Sequence, residues 1–443
     1  HNTLLELVID LYEAGDYAQG ITLAEKWVKQ QNVSRQEDIY PLVYYYIAYG
    51  YQNLHRKENT EQANCYMTMY VTLGENAAAD GCFPHRTEDY IVLKSLAEEY
   101  HLAMAYYYLG CLLYDRRVYD ESIEDYEESI LRSPDFPTVH RNLALAYYNV
   151  KKLPQRAYEE MEKAFALDET DARVYLELDQ LKKRLNVAVK ERWSDMEKHF
   201  DLVESRDDLY LEYVTLLNTL GEPEKALGLI KARKFHQWEG GEGKVAAQYL
   251  TALYQLAKAA VEKEDYAEAK ELLLRAVGEY PHNLGEGKLE SGQENNLYYL
   301  LGLVQEKLGE AKDAFESLTR ACCGESEPVG MMYYNDQPPE MIYYQGLAYR
   351  MLGEEEQAVR RFQKLVDYGR EHIRDDVKID YFAVSLPDLL IFEENLNERN
   401  RKHCLFMMSL GLKGLGRIDE AEKCAEELLA MDNAHQEIRV HDL

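Results

Sequence analysis

Residues 106–134 read YYYLGCLLYDRRVYDESIEDYEESILRSP, and their spacing decides the fold. A ring stands at Tyr106, then Leu109-Gly110, a large apolar residue at Leu113, and a ring at Tyr119. A small residue follows at Ser122, then Tyr126, Ser129 and Pro134. Apolar positions recur at helical intervals on both sides of the 115–118 turn, which predicts two short helices in a hairpin. Two helices cross closely only where small side chains admit the neighbouring backbone, and Gly110, Ser122 and Ser129 are those places. Tyr106, Leu113 and Tyr126 fill the remaining space. Pro134 cannot continue a helix and ends the unit.

The same pattern recurs outward in both directions. Toward the N-terminus, residues 4–31 and 40–73 each predict a hairpin, and 74–90 read as a loop. Toward the C-terminus, Leu143-Ala144, Tyr147, Ala157, Met161 and Ala164 repeat the opening unit after about 34 residues. Residues 171–204 are a degraded pair. Clearer hairpins follow at 207–233, 247–281, 295–323, 340–368 and 401–430, with 369–400 irregular around Pro387. After Met431 the tail is polar and is expected to fray. About ten helix pairs result, and no stretch of four or more strands.

The spacing resembles the tetratricopeptide repeat. The expected fold is an all-α, right-handed α-solenoid of such hairpins. Residues 1–200 and 201–443 would form its two halves in one continuous superhelix, kinked near 171–204 and 369–400. Single hairpins cannot bury their own apolar faces and need a neighbour on each side.

The chain has 443 residues, 46% of them hydrophobic, enough for such a core. Its formal net charge is −30, from 80 acidic against 50 basic residues. That speaks against nucleic acid and anionic membrane as main partners, since both need a positive face. The seven cysteines are odd in number and lack CxxC or Cys/His ligand spacing, so neither a disulfide framework nor a metal site is expected. A reducing, cytoplasmic setting fits. No run of about eighteen apolar residues occurs to cross a membrane. The chain begins at His1 without Met, so it is expected to be a piece of a longer protein.

Three stretches are more particular than the repeat: KFHQWEGGEGKV at 234–245, HNLGEGKL at 282–289 and IDYFAVSLPDLLIFEENLN at 379–397. They resemble the C-terminal helical part of large bacterial proteins whose N-terminal part is a β-sandwich domain of unknown function. That resemblance implies a partner domain on the same chain and, because such sandwiches are similar to those of carbohydrate-active proteins, a glycan context. It carries no catalytic residues.

Candidate contact residues come from the outward face of the first helices: Tyr45, Tyr107, Tyr114, Arg141, Tyr148, Tyr299, Tyr343 and Arg350. With 37 Tyr against 10 Phe and 3 Trp, the chain is rich in rings that keep a polar tip. Rings with guanidiniums suit an extended peptide or a sugar chain; the alternative is that these rings pack between adjacent helices. The peptide clamp of this repeat family, which holds a terminal carboxylate with Lys, Asn and Arg, is not expected, because Arg141 and Arg350 stand isolated.

GEGK occurs at 241–244 and 285–288. A phosphate loop would need GxxxxGK followed by Ser or Thr, but Val245 and Leu289 follow the lysines, and Trp238 replaces the first Gly. The expectation is instead that both loops lie at one end of neighbouring units. There Trp238, Glu239, Glu242, Lys244, Glu286 and Lys288 form a polar cluster, either for a partner or as buttressing turns. Glu239 and Glu242 are the pair to nominate for glycoside hydrolysis, but nothing separates them from surface glutamates. The histidines are scattered. The leading expectation is therefore a non-catalytic scaffold without cofactor, holding a protein or its own N-terminal domain. The alternative is an accessory domain whose loops serve a glycan site.

Overall fold

The computed structural model describes every residue except 35–38, 59–60, 239, 289–292, 331–335, 379–390 and 442–443. Among the described residues there are 23 α-helices and no strand. The fold is the expected α-solenoid of tetratricopeptide-like hairpins. The chain divides into two compact units, His1–Glu169 and Thr170–Leu443.

Unit 1 holds α1 (Asn2–Glu13), α2 (Tyr17–Ser34), α3 (Pro41–Glu58), α4 (Glu61–Asn76), α5 (Thr87–Tyr100), α6 (Ala103–Asp115), α7 (Tyr119–Arg132), α8 (Pro137–Asn149) and α9 (Pro154–Leu167). Unit 2 opens with α10 (Ala172–Arg184), α11 (Val189–Lys198), α12 (Phe200–Ser205), α13 (Asp207–Thr219), α14 (Pro223–Ala232), α15 (Lys244–Glu262) and α16 (Tyr266–Val277). It continues with α17 (Asn295–Lys307), α18 (Ala311–Ala321), α19 (Pro339–Met351), α20 (Glu355–His372), α21 (Leu396–Gly414), α22 (Ile418–Met431) and α23 (Gln436–His441).

From α13 onward each first helix packs on its own second helix and on the first helix of the next hairpin, in the succession α13, α15, α17, α19 and α21. The close crossing expected at Gly110 is real. A Cβ there would lie 2.5 Å from the Tyr126 ring, and Ser122 Oγ donates to the Gly110 carbonyl at 2.7 Å. Gly346 against Phe362 repeats the arrangement in unit 2. The hairpin turns place one residue in the left-handed region. Glycine serves at Gly15, Gly221, Gly309, Gly353 and Gly416, but Arg117, Lys152 and Glu264 take that conformation with a Cβ.

Three elements depart from the sequence reading. α5 is an additional helix that begins inside the expected 74–90 loop region and continues to Tyr100; Val92, Leu93, Leu96 and Ala97 supply its buried stripe. The degraded pair at 171–204 is three helices, with α11 ending at Lys198 and α12 restarting at Phe200. The tail after Met431 does not fray: α23 forms there, with Ile438 0% exposed and Val440 5% exposed.

Candidate protein-interaction surface

In unit 1 the predicted contact residues separate into buried and half-buried ones. Tyr45 is fully buried; its hydroxyl donates to Glu75 at 2.6 Å and its ring covers Gly74. Tyr107 is buried against Tyr108, Tyr126 and Phe136, with the Phe136 ring edge-on at 5.0 Å. Burial raises the Tyr107 phenol above its ordinary range, and the nearby Arg141 guanidinium partly opposes that shift. α6 and α8 thus bring Tyr107 and Arg141 together. Tyr114 and Tyr148 are half-buried, and Tyr114 meets the Tyr119 ring edge-on at 5.1 Å.

Unit 2 repeats the pairing. Tyr343 is buried beside Phe362 and Tyr344, and Tyr299 is half-buried 5.5 Å from the Tyr344 ring. Arg350 stays exposed, pairs with Glu355 at 2.7 Å and donates to the Gly414 carbonyl at 2.9 Å. Its charge acts on both Tyr299 and Tyr343. Packing between helices therefore describes Tyr45, Tyr107 and Tyr343, which corrects the expectation that these three rings lie open on a surface.

The two glycine-rich loops meet. Phe235 N–H donates to Asn283 O at 2.9 Å, and Gly285, at φ +80°, lies so close that a Cβ would fall 2.8 Å from the Phe235 carbonyl. Glu286 accepts from the backbone N–H groups of Gly243 and Ala246, at 2.8 and 2.9 Å, and so caps the start of α15. Lys288 pairs with Glu294 at 2.7 Å and donates to the Val277 carbonyl. The Trp238 ring lies where a Cβ on Gly241 would stand. Glu242 and Lys244 are exposed, and Glu239 lies outside the described residues. Glu286 and Lys288 are thus engaged in fixing helix ends.

The sequence reading missed the contacts of the tail. Gln248 and Gln436 exchange hydrogen bonds at 2.8 and 3.1 Å, and Lys258 Nζ donates to the Val440 carbonyl at 2.8 Å. Burial and the Lys258 charge pull His441 down to about 3. No periodicity marks a six-residue helix, so only the alternation of Ile438 and Val440 hinted at burial.

Elsewhere the histidines serve packing. His140 bridges Glu160 at 2.6 Å and the Pro134 carbonyl at 2.9 Å. His403, half-buried and bonded to the Val329 carbonyl, is lowered to about 4 by desolvation. Among the described residues no group of three or more His, Cys, Asp or Glu is placed to hold a metal ion, and no helix is long and apolar enough to cross a membrane.

Tetratricopeptide repeat family models match residues 107–172 and 254–328, and a second such model matches 340–368. Among solved structures, the chain is similar to a tetratricopeptide repeat protein from Parabacteroides merdae ATCC 43184, at 14% identity and TM-score 0.26. That match covers 69% of this chain and 98% of the other. A human IFIT1 dimer with m7Gppp-AAAA matches at 11% identity and TM-score 0.29, covering 96% and 88%. A Naa15/Naa10 structure bound to HypK-THB matches at 12% identity and TM-score 0.28, covering 100% and 60%. Tetratricopeptide repeats are thus recognised in both units, and they point to a protein-interaction scaffold. The described residues contain no strand, so the β-sandwich of the resembling bacterial proteins has no counterpart in them.

Proposed function

We propose that the chain is a non-catalytic scaffold that holds protein partners along its first helices. The observation that supports this is a repeated pairing of phenol with guanidinium on these helices. Arg141 stands beside Tyr107 in unit 1, and Arg350 beside Tyr299 and Tyr343 in unit 2. With Tyr107 and Tyr343 packed between helices, the half-buried Tyr299 ring and the Arg141 and Arg350 guanidiniums are what such a surface offers a partner peptide, for stacking and hydrogen bonds. The half-buried Tyr114 and Tyr148 extend that surface on α6 and α8. The exposed Glu242 and Lys244 offer further charged contacts at the start of α15 in unit 2.

The test is selection from a displayed peptide library, followed by titration of purified peptides. Arg141→Ala with Tyr148→Ala should weaken selected peptides at least tenfold, whereas Phe315→Ala, on the exposed side of α18, should not. Equal loss from both variants, or no enriched peptide at all, would remove this reading.

A further inference from the structure

Residues 432–441 occupy a space enclosed by the first helices of unit 2. A helix turns about 100° per residue, so Gln436 and Val440 fall about 40° apart on one face and Ile438 stands on the opposite one. All three are nevertheless buried. A helix lying on an open surface buries one stripe; this one is covered from opposite sides.

The hold is chemically particular. Gln436 exchanges amide bonds with Gln248 on α15 and also reaches the Thr215 carbonyl and Thr219 Oγ on α13, both at 3.2 Å. Asn218 braces Gln248 at 2.9 Å. Lys258 takes the Val440 carbonyl, a cation at the negative end of a short helix. His441 sits between the rings of Tyr254 and Tyr344, at 5.4 and 5.6 Å, with Nδ1 3.2 Å from the Tyr344 hydroxyl. Side chain, backbone and helix end are each recognised, from three different first helices.

A capping helix would close a stack by packing on its last hairpin. α23 instead packs on α13, more than two hundred residues earlier in the chain: Gln436 and Thr215 are separated by 221 positions. The wall it touches is lined by amides, a hydroxyl, phenols and an ammonium. If the segment left, the Lys258 ammonium and the Gln248 side-chain N–H would lose the acceptors it supplies, while Gln248 Oε1 keeps Asn218 and the Tyr254 and Tyr344 hydroxyls keep each other.

We infer that α13, α15 and α19 form a recognition groove for a short helical peptide. Its ligand carries a side-chain amide, two aliphatic residues at alternate positions and, after them, an imidazole. Residues 432–441 fill the groove in cis, and a partner segment of the same chemistry displaces them. This inference rests on the scaffold reading and names a ligand class for it. The cis segment sets a threshold, because an outside peptide sees its affinity multiplied by the fraction of time the groove stands vacant.

The experiment uses the chain ending at Met431 and a labelled synthetic peptide of residues 432–441. The shortened chain, shown to keep its helical circular dichroism, should bind the peptide saturably. The full chain should bind it at least tenfold more weakly. Peptides with Gln436→Leu or Ile438→Asp should bind at least tenfold more weakly than the parent. If shortening abolishes the helical signal, a protease site inserted between Met431 and Asp432 allows the segment to be cut after folding. The cut protein should then exchange its own segment for labelled peptide. Absence of binding by the folded, shortened chain, absence of exchange by the cut one, or equal binding of the Ile438→Asp peptide would each overturn the groove. None of those results touches peptide capture through Arg141 and Tyr148 in unit 1, so the scaffold reading fails or stands separately.

Discussion

The two units satisfy their buried polar groups in different ways. Unit 1 ties neighbouring helices with phenols: Tyr12 donates to the Tyr46 carbonyl at 2.9 Å, Tyr46 to Asp89 at 2.8 Å and Tyr147 to Glu127 at 2.5 Å. These partners lie 20 to 43 residues apart, so each bond links adjacent hairpins. Unit 2 adds bonds that span most of its length: Lys258 to Val440 across 182 residues, Arg184 to the Phe392 carbonyl across 208, and Asn433 to Asn186 across 247. A stack with only neighbour contacts can open from its ends, one repeat at a time. A stack whose far ends are bonded has to open more nearly as a whole. The same repeat therefore yields two kinds of cooperativity.

The strongest way to break that contrast is Asp179→Ala. Arg192 is fully buried and bonds Asp179 through two nitrogens, at 3.0 and 2.6 Å, and Glu212 at 2.7 Å. Removing one carboxylate from a buried pair costs about 3–5 kcal/mol. Hydrogen exchange should accelerate from α10 through α23 and leave unit 1 unchanged; acceleration confined to α10, α11 and α13 would deny unit 2 its cooperativity. Gly110→Ala probes the neighbour-by-neighbour order of unit 1. A methyl there runs into Tyr126, for a loss of about 1–3 kcal/mol. Protection should fall in α6 and α7 first, with α1 and α2 spared, and Tyr126→Leu should recover part of the loss.

A smaller effect comes from pH. His441 falls from its ordinary 6.5 to about 3 on burial beside Lys258. The neutral ring is the docked form, so docking is undiminished above pH 6.5 and weakens below it. Binding of the 432–441 peptide to the shortened chain should loosen about tenfold per pH unit between 6.5 and 5, or about 1.4 kcal/mol per unit. A His441→Asn peptide should show a much flatter profile; an unchanged slope would place the titration elsewhere. The mildest change is a gain. Arg117 holds φ +62° where other hairpins use glycine, so Arg117→Gly should stabilise unit 1 by about 0.5–1 kcal/mol in urea titration.

What could be read from the sequence follows the length scale of each signal. Gly110, Ser122 and Tyr126 declare their crossing because the small-and-large pattern repeats many times. The pairing of Tyr107 with Arg141 was half legible: both residues were singled out, yet spacing alone could not say that the Tyr107 ring turns inward. Glu286 was read as one of a polar loop cluster, for a partner or as a buttressing turn, and its task as a helix cap depends on Gly243 and Ala246, which lie 43 and 40 positions away. Least legible was 432–441. Its six-residue helix is too short for a period, and its polar letters resemble a solvated end. Gln436 and His441 are buried because Gln248, Thr219 and Tyr344 receive them, and nothing local encodes that meeting.

The bond between Asn433 and Asn186 also has a consequence for biogenesis. At ordinary translation rates of about 5–20 residues per second, residue 433 follows residue 186 by roughly 12 to 50 s. During that interval the hairpins of unit 2 can stack, but the polar wall of α13 and α15 has no segment to receive. Unit 1, by contrast, closes even its Arg86 bonds to Glu6 and Asn2 within 80 and 84 residues of synthesis. The nascent second unit is thus the part of the molecule that depends on time, and on whatever peptide reaches its wall before its own arrives.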